Sequence, residues 1–179
     1  MADLSHINRL NEIVIESFMN LDATAIRNLE LVRNMRDGSK RGTLLDILDF
    51  TNTSMGARKL RSWIECPLLD LGKIYERQDA VAELLDNTTL REAVVERLKA
   101  IYDLERIVSR LEVGSANARD LVSLRTSLAV LPEVKAVLAN CKSRKLQRIY
   151  NNLHVHEDIY VALEAAIVDE PPFSVREGG

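Results

Sequence analysis

The sequence predicts a mainly α-helical fold, an irregular arrangement of many helices with at most a short extended piece near residues 26–32. Apolar residues recur at spacings of three and four along most of the chain, which is the periodicity of an amphipathic helix. Only 7 glycines and 4 prolines occur among 179 residues, so little interrupts long helices. The composition is 46% hydrophobic but only 4% aromatic, so we expect a core of Leu, Ile, Val and Ala side chains.

Charge and composition exclude several classes of protein. The net charge of −3 argues against a chain whose whole surface binds nucleic acid, although a local basic patch is compatible with it. Cys66 and Cys141 are far apart and form no Cys-x-x-Cys pair, as expected in a reducing compartment. The sequence has no secretory signal and no apolar run approaching the ~20 residues that span a bilayer. We therefore expect a cytoplasmic protein with no membrane partner.

The first elements combine helical and extended patterns. Apolar spacing predicts a helix over residues 3–18, and residues 18–22 are expected to be extended. Leu29 and Leu31 share one face, a spacing that fits a short extended piece. Aspartate, serine and two glycines then predict a loop over residues 37–42.

Two helices are predicted between this loop and Pro67. The first begins at Thr43, with Asp46 three residues later as in a capping box. The second ends before Pro67, because proline disfavours helical geometry at the residue before it. The buried side chains expected in them are Leu44, Ile47 and Leu48 in the first, and Ala57, Leu60 and Ile64 in the second.

The remaining helices are predicted from caps and apolar stripes. Asp70 begins a helix, Thr89 with Glu92 forms a capping box for the next, and Asp103 caps a third. The stripe expected in the Asp70 helix is Leu71, Ile74, Tyr75, Gln78, Val81, Ala82 and Leu85.

Four further positions mark helix boundaries in the second half. Gly114 ends the third helix and Asn117 begins another. Pro132 is predicted to be the first residue of a separate helix, and a last helix is expected over residues 158–169. The inward positions expected in the helix before this last one are Leu146, Ile149 and Leu153.

No catalytic constellation emerges from the residues. Gly72-Lys73 lacks the first glycine and the Ser or Thr of a phosphate-binding loop. His154 and His156 are two residues apart, which places them on different faces of a helix and argues against a shared metal. Cys66 is interpreted as a small core residue. For Asp103, Glu105 and Arg106, a capping role is favoured over a paired-carboxylate site.

Two basic clusters are the candidates for contact with nucleic acid. One consists of Arg58, Lys59 and Arg61, and for Arg58 we favour a structural role. The other has no acidic residue among its members, and contact with DNA phosphates is kept for it as the alternative to a solvated surface. Its members are Lys142, Arg144, Lys145 and Arg148.

An ordered set of motifs covers nearly the whole chain. The motifs are Asn28-Leu29-Glu30-Leu31, Thr43-Leu44-Leu45, Met55-Gly56-x-Arg58-x-Leu60-x-x-Trp63-Ile64-x-x-Pro67-Leu68, Ile101-Tyr102-Asp103-Leu104-Glu105-Arg106, Gly114-x-Ala116-Asn117-x-Arg119-Asp120-Leu121 and Asp169-Glu170-Pro171-Pro172, with Leu21-Asp22 and Arg27 upstream. Together they resemble the core domain of the MutS family of DNA mismatch-repair ATPases. The residues to which the resemblance assigns a structural role are Asn28, Leu31, Gly56, Arg58, Leu60, Trp63, Pro67, Asp103, Arg106, Gly114, Asn117, Arg119 and Asp120.

The resemblance implies that this chain is one segment of a longer protein. It implies a lead-in over residues 1–22, a helical core domain over 23–170 and a lead toward a lever and clamp over 171–179. The parent would bind mismatched DNA as a homodimer and use ATP and magnesium at a separate domain. We expect no cofactor site in this segment, which would couple the DNA-binding parts to the ATPase and contact other domains of the same protein.

Two alternatives remain open at this point. The chain could belong to a MutS paralogue that acts on other DNA structures, or it could be a free-standing helical adaptor that binds a partner protein. If neighbouring domains normally cover parts of the core, the isolated segment should expose apolar stripes and self-associate. The regions 43–65 and 158–169 are the ones expected to be most open.

Overall fold

The computed structural model describes residues 17–172, which contain nine α-helices. They are α1 (Ala23–Asn28), α2 (Leu44–Leu48), α3 (Ser54–Glu65), α4 (Leu71–Asp86), α5 (Thr88–Lys99), α6 (Leu104–Glu112), α7 (Ala118–Leu138), α8 (Arg144–Asn152) and α9 (Glu157–Ala166). The predicted mainly α-helical class is confirmed. The helix predicted over residues 3–18 falls almost wholly outside the described residues, as does most of the predicted segment 171–179.

The chain divides into two compact units. Among the described residues, the first unit comprises 17–50 together with Arg58–Ile74, and the second comprises Thr51–Ala57 and 75–172. Helices α1 and α2 therefore belong to the first unit and α5–α9 to the second, while α3 and α4 contribute residues to both.

A short antiparallel contact is part of the first unit. Phe18 and Leu68 form an isolated β-bridge. The Met19 amide donates to the Pro67 carbonyl at 2.8 Å, and the Leu69 amide donates to the Ser17 carbonyl at 3.1 Å. The extended conformation expected from residue 18 onward is thus present where the chain meets the segment after α3.

The extended piece expected near residues 26–32 is absent, and this prediction was wrong. Asp22 caps α1 by accepting the Ala25 amide at 2.6 Å, and the helix runs to Asn28. The chain then turns, with Glu30 at a φ of 47°, in the left-handed region. The Leu31 amide donates back to the Ile26 carbonyl at 3.1 Å. Leu29 and Leu31 therefore lie in the turn that follows α1, and their alternating spacing does not reflect a strand.

Helix α2 begins at the predicted cap but buries a different face. Thr43 is fully buried, and its hydroxyl accepts the Asp46 amide at 3.2 Å and donates to the Lys40 carbonyl at 2.6 Å. Leu45 is the residue that α2 buries, and its amide donates to the Leu31 carbonyl at 2.9 Å. That backbone contact fixes the rotation of a helix only five residues long. The side chains expected to be inward are exposed instead: Leu44, Ile47 and Leu48.

Helix α3 begins after Thr53, and it ends before Pro67 as predicted. Thr53 caps it, because its hydroxyl accepts the Gly56 amide at 3.0 Å. A Cβ at Gly56 would lie 3.0 Å from that hydroxyl oxygen, so glycine leaves room for the cap. Leu60 and Trp63 are half-buried. Cys66 is exposed, which corrects the expectation that it is a core residue.

Helix α4 is present as predicted, but its inward face was assigned wrongly. Asp70 caps it by accepting the Lys73 amide at 3.1 Å. Ala80 is the buried residue of α4, and Leu84 packs against the same core. Small Ala80 permits close approach of neighbouring helices, whereas four of the larger residues of the expected stripe are exposed and Ile74 is half-buried. The four exposed residues are Leu71, Tyr75, Val81 and Leu85.

The corner between α6 and α7 follows the sequence closely. Asp103 caps α6, and Gly114 follows the end of α6 with a φ of 68°. Asn117 caps α7, and its side chain and that of Asp120 form a reciprocal capping box. Arg110 pairs with Asp120 at 2.7 Å across this corner. The cap of α5 differs from the expectation, since Asn87 rather than Thr89 accepts the Leu90 amide.

Helix α7 is the central element of the second unit and contacts α5, α6, α8 and α9. It continues through Pro132, so the predicted break there was wrong. Proline inside a helix costs about 3 kcal/mol. Each fully buried leucine or valine contributes about 1.5–3 kcal/mol, and α7 buries four of them on both sides of the proline. They are Leu128, Leu131, Val134 and Leu138.

The core of the second unit forms around the C-terminal half of α7. Its buried members are Ala80, Val134, Leu138, Cys141 and Leu146. Ile149, expected to be inward, is 42% exposed, and Tyr150 packs against the core instead. Helix α8 therefore buries Leu146 and half-buries Tyr150, one turn further along.

A buried arginine holds the segment after α9. The Arg125 guanidinium donates to the Ile167 carbonyl at 2.9 Å and pairs with Asp169 at 2.5 Å and Glu164 at 3.5 Å. The helix predicted to reach Asp169 ends at Ala166, and Ile167 is extended. The carbonyl that Arg125 binds belongs to Ile167, the first extended residue after α9. We call the contacts of Arg125 with Glu164, Ile167 and Asp169 the Arg125 clasp.

Ser127, like Thr43, is a fully buried polar residue of the described range. Its hydroxyl donates to the Ser123 carbonyl at 2.8 Å and accepts the Tyr102 amide at 2.9 Å. The second bond ties the linker between α5 and α6 to the middle of α7.

We expect Ser127→Ala to lower the free energy of unfolding by about 1–3 kcal/mol, because the Tyr102 amide would lose its acceptor. Ser109→Ala is the matched control. The Ser109 hydroxyl donates to the Glu105 carbonyl at 2.9 Å with the same spacing, but among residues 17–172 it accepts no amide from another element. Its replacement should change stability by less than about 0.5 kcal/mol. Urea denaturation of both variants measures the difference, and equal losses would contradict the role assigned to the Tyr102 bond.

Candidate nucleic-acid contact surface

The basic cluster on α8 is the candidate site that the structure describes most fully. Leu146 anchors α8 in the core, and Lys135 donates to the Leu153 carbonyl at 2.8 Å just beyond its end. The basic side chains lie away from the buried face: Lys142, Arg144 and Arg148 are exposed, and Lys145 is half-buried. We call this surface the α8 basic face.

Glu76 of α4 brings two members of the α8 basic face together. Its carboxylate accepts from Arg148 at 2.6 Å and lies 3.5 Å from Arg144. The Arg144 side chain is 83% exposed, whereas that of Glu76 is 19% exposed. One carboxylate thus balances part of the charge that the sequence suggests for this surface.

Glu83, about two turns further along α4, caps the start of α8. Its two carboxylate oxygens accept the Lys142 amide at 2.6 Å and the Ser143 amide at 2.7 Å. Burial alone would raise the pKa of Glu83. The hydrogen bonds from Lys142 and Ser143, with the positive charge of Lys142, outweigh that effect and hold the pKa of Glu83 below its ordinary value. The ionised carboxylate is therefore the form that stabilises the helix start.

The contacts of Glu76 and Glu83 with α8 were not predicted from the sequence. Glu76 and Glu83 lie about 60–70 positions before their α8 partners, and local patterns report neighbours only three or four residues apart. After both contacts, the α8 basic face still offers guanidinium and ammonium groups to solvent. Such a surface is compatible with a weak, salt-sensitive contact with phosphates, which stays a prediction.

The other sequence candidates are dispersed. The ring centroids of His154 and His156 are 6.1 Å apart, and the described residues hold no group of three or more metal-binding side chains. Burial raises the pKa of the Cys141 thiol, and Glu83 raises it further, so the reactive thiolate is disfavoured. Lys73 lies in the first turn of α4, 3.7 Å from Asp70. Within residues 17–172, no helix has the length and hydrophobicity needed to cross a membrane.

Comparison with known proteins decides the family. The family model described as MutS domain III matches residues 24–179. The chain belongs to the MutS domain III family. Among its relatives, the DNA mismatch repair protein MutS of Clostridium kluyveri is 44% identical over 177 residues, which is 99% of this chain and 20% of the relative. The protein of the same name from Desulforamulus reducens is 47% identical over 176 residues, which is 98% of this chain and 20% of the relative. That from Symbiobacterium thermophilum is 45% identical over 178 residues, which is 99% of this chain and 20% of the relative.

This MutS domain III chain thus spans about a fifth of the length of the curated relatives it matches. The residues that carried the resemblance lie at helix ends and packing positions. Asn28 ends α1, Leu31 and Leu60 are half-buried, and Gly56 makes room for the cap of α3. The amide of Arg106 donates to Asp103 at 3.3 Å, and Arg119 follows the Asn117 cap in the first turn of α7.

We expect Glu83→Gln to destabilise the chain by about 1 kcal/mol at neutral pH, because it removes the charge that caps α8. The folded-state pKa of Glu83 lies below its ordinary value of 4.5. Its contribution is therefore complete above about pH 4.5 and is lost as the pH falls through the lower folded-state value. Urea denaturation at about pH 7 and about pH 3 should show the gap between wild type and variant shrinking.

Glu92→Gln is the matched control, since Glu92 lies exposed on α5 in the same unit. It should change stability by less than about 0.5 kcal/mol at either pH. A gap for Glu83→Gln that is the same at both pH values would contradict the pKa-linked cap.

Proposed function

We propose that this chain is the structural and coupling core of a DNA mismatch-repair protein. The observation that carries the proposal is the match to MutS domain III over residues 24–179, together with relatives named DNA mismatch repair protein MutS. These names favour mismatch repair over the paralogue and the free-standing adaptor. The parent would bind mismatched DNA as a homodimer in the cytoplasm and hydrolyse ATP with magnesium at another domain.

The segment itself is proposed to be non-catalytic. Its sequence has no phosphate-binding loop, since Gly72-Lys73 is followed by Ile74 where magnesium binding needs Ser or Thr. The α8 basic face would add at most a weak contact with the DNA backbone. Specificity for a mismatch would come from the rest of the parent.

The Arg125 clasp supports a coupling role. Coupling between distant sites needs packed elements that move as units. Arg125 joins the central helix α7 to the segment 164–169, and the family resemblance takes the chain onward from there toward a lever. A change in the position of that lever would therefore act directly on α7 and on the helices packed around it.

Exposed apolar residues support contacts with other domains of the parent. In the first unit, Ile47 is 64% exposed and Phe50 is 87% exposed. In the second unit, Val161 on α9 is 57% exposed and Val168 after it is 67% exposed. These lie in or beside the two regions that the sequence analysis expects to be open. Apolar residues grouped at a surface are typical of contacts between proteins or domains.

The coupling role can be tested by grafting. The chain replaces the matching fifth of the Clostridium kluyveri relative, and Arg125→Met is introduced into the graft. Methionine keeps the packing of the arginine stem and removes the hydrogen bonds. We expect binding to a mismatched duplex without nucleotide to stay within about twofold. ATP-triggered release should slow by about two- to thirtyfold, as expected when coupling loses about 0.5–2 kcal/mol.

Lys99→Met is the control in the same graft, since Lys99 is exposed on α5, away from the α8 basic face, and pairs with Glu96 of the same helix. It should leave release unchanged. A graft that folds and binds mismatched DNA but releases it at the same rate with and without the Arg125 clasp would refute the coupling role of this contact. A folded graft that does not support mismatch binding at all would refute the proposed function.

The apolar exposure gives a separate prediction. We expect the isolated chain to self-associate, and Ile47→Ser with Phe50→Ser should weaken that association by about tenfold, because two large apolar side chains leave the contact. Val113→Ser is the control, because Val113 is 72% exposed but lies at the α6–α7 corner. Sedimentation velocity at several concentrations measures the effect. A wild-type chain that is monomeric at every concentration would contradict the prediction.

A further inference from the structure

A groove in the first unit combines guanidinium groups with an apolar floor. Its volume is about 590 Å³. Ile26, Val32 and Met35 supply the apolar part, and Arg27, Arg33 and Arg61 supply the positive charge. We call it the α1 groove, because α1 and the loop after it form most of its wall.

The charge of the α1 groove is available to a ligand. Arg61 pairs with Glu65, the carboxylate of the groove, at 3.0 Å. Arg27 and Arg33 are exposed, and within residues 17–172 their side chains make no ion pair or hydrogen bond. The described residues therefore leave both guanidinium groups for an external anion. This distinguishes the groove from the α8 basic face, where Glu76 already binds both arginines.

The loop that presents Arg33 is pre-organised. Asn34 donates from its side chain to the Ser39 hydroxyl at 3.1 Å and to the Arg41 carbonyl at 3.0 Å, and it accepts the Asp37 amide at 3.0 Å. The Met35 amide donates to the Glu30 carboxylate at 2.6 Å. These bonds fix the backbone on both sides of Arg33, which lowers the conformational entropy that a ligand would otherwise have to offset.

Charge complementarity and the apolar floor together define the occupant. A carboxylate matches the planar fork of arginine, and Met35, which is 62% exposed, offers an adaptable apolar surface beside it. A nucleic-acid backbone would satisfy the arginines but has no aliphatic side chain to fill the floor. None of the described residues that line the groove is aromatic, so they offer no ring for a base to stack on. We propose that the α1 groove binds an acidic peptide segment of a partner protein through an aliphatic anchor residue flanked by carboxylates.

The test uses the 179-residue chain and short labelled peptides in fluorescence anisotropy. One peptide carries leucine between two pairs of glutamates, and a second carries alanine in place of the leucine. A duplex oligonucleotide is the third probe. We expect the leucine peptide to bind, the alanine peptide to bind more weakly by about threefold or more, and the oligonucleotide not to be bound in the α1 groove.

Variants locate the binding. Arg27→Glu with Arg33→Glu should lower the affinity for the leucine peptide by about tenfold or more, and Met35→Ser should lower it by about threefold. Lys142→Glu with Arg144→Glu makes the same change of charge on α8 and should leave peptide binding unchanged. Circular dichroism confirms that each variant is folded, which is expected because all these side chains are exposed.

Four results would overturn the proposal. The first is peptide binding that survives reversal of Arg27 and Arg33. The second is equal binding of the leucine and alanine peptides, which would reduce the groove to non-specific charge attraction. The third is oligonucleotide binding that the reversal of Arg27 and Arg33 abolishes, which would assign the groove to nucleic acid instead. No binding of the leucine peptide to the folded wild-type chain would also overturn it.

Discussion

The continuity of α7 is the constraint on which the second unit depends. This helix has 21 residues, so it is roughly 30 Å long, and it contacts four other helices along that length. A break at Pro132 would separate Leu128 and Leu131 from Val134 and Leu138 and would divide the core between two short helices. The apolar burial on both sides of the proline exceeds the local cost of about 3 kcal/mol. Tertiary packing therefore overrides the residue with the strongest local preference against helix.

Polar contacts then fix the elements that surround α7. Ser127 binds the linker before α6, Arg125 binds the segment after α9, and Glu83 binds the start of α8. In each contact a side chain satisfies backbone groups that secondary structure leaves without partners. Such contacts are directional, whereas apolar burial is not. They define where each chain segment enters or leaves the core, which is the property that a coupling domain requires.

The two units carry different surfaces. The first has an exposed apolar α2 and a groove with available arginines, while the basic residues of the second are partly balanced by acidic side chains of α4. A chain that spans a fifth of its relatives is expected to present surfaces to the rest of a larger protein. Under the proposed function, the exposed apolar residues would contact other domains of the parent. The arginine groove fits a partner that arrives from solution, because charge steers association over a distance.

The sequence by itself determined the helical class, the family and most helix ends. The residues that cap or end helices contact neighbours within three or four positions, so their roles can be predicted from the sequence. Examples are Thr43, Asp103, Gly114 and Asn117. Only the tertiary structure decided which face of α2 and which face of α4 is buried. Several faces of α2 and α4 are apolar enough to be buried, and the choice of Leu45 and Ala80 came from distant partners. For the same reason, the contacts of Glu76 and Glu83 with the α8 basic face could not be predicted from the sequence. A carboxylate on another helix leaves no periodic signal beside the residues that it binds.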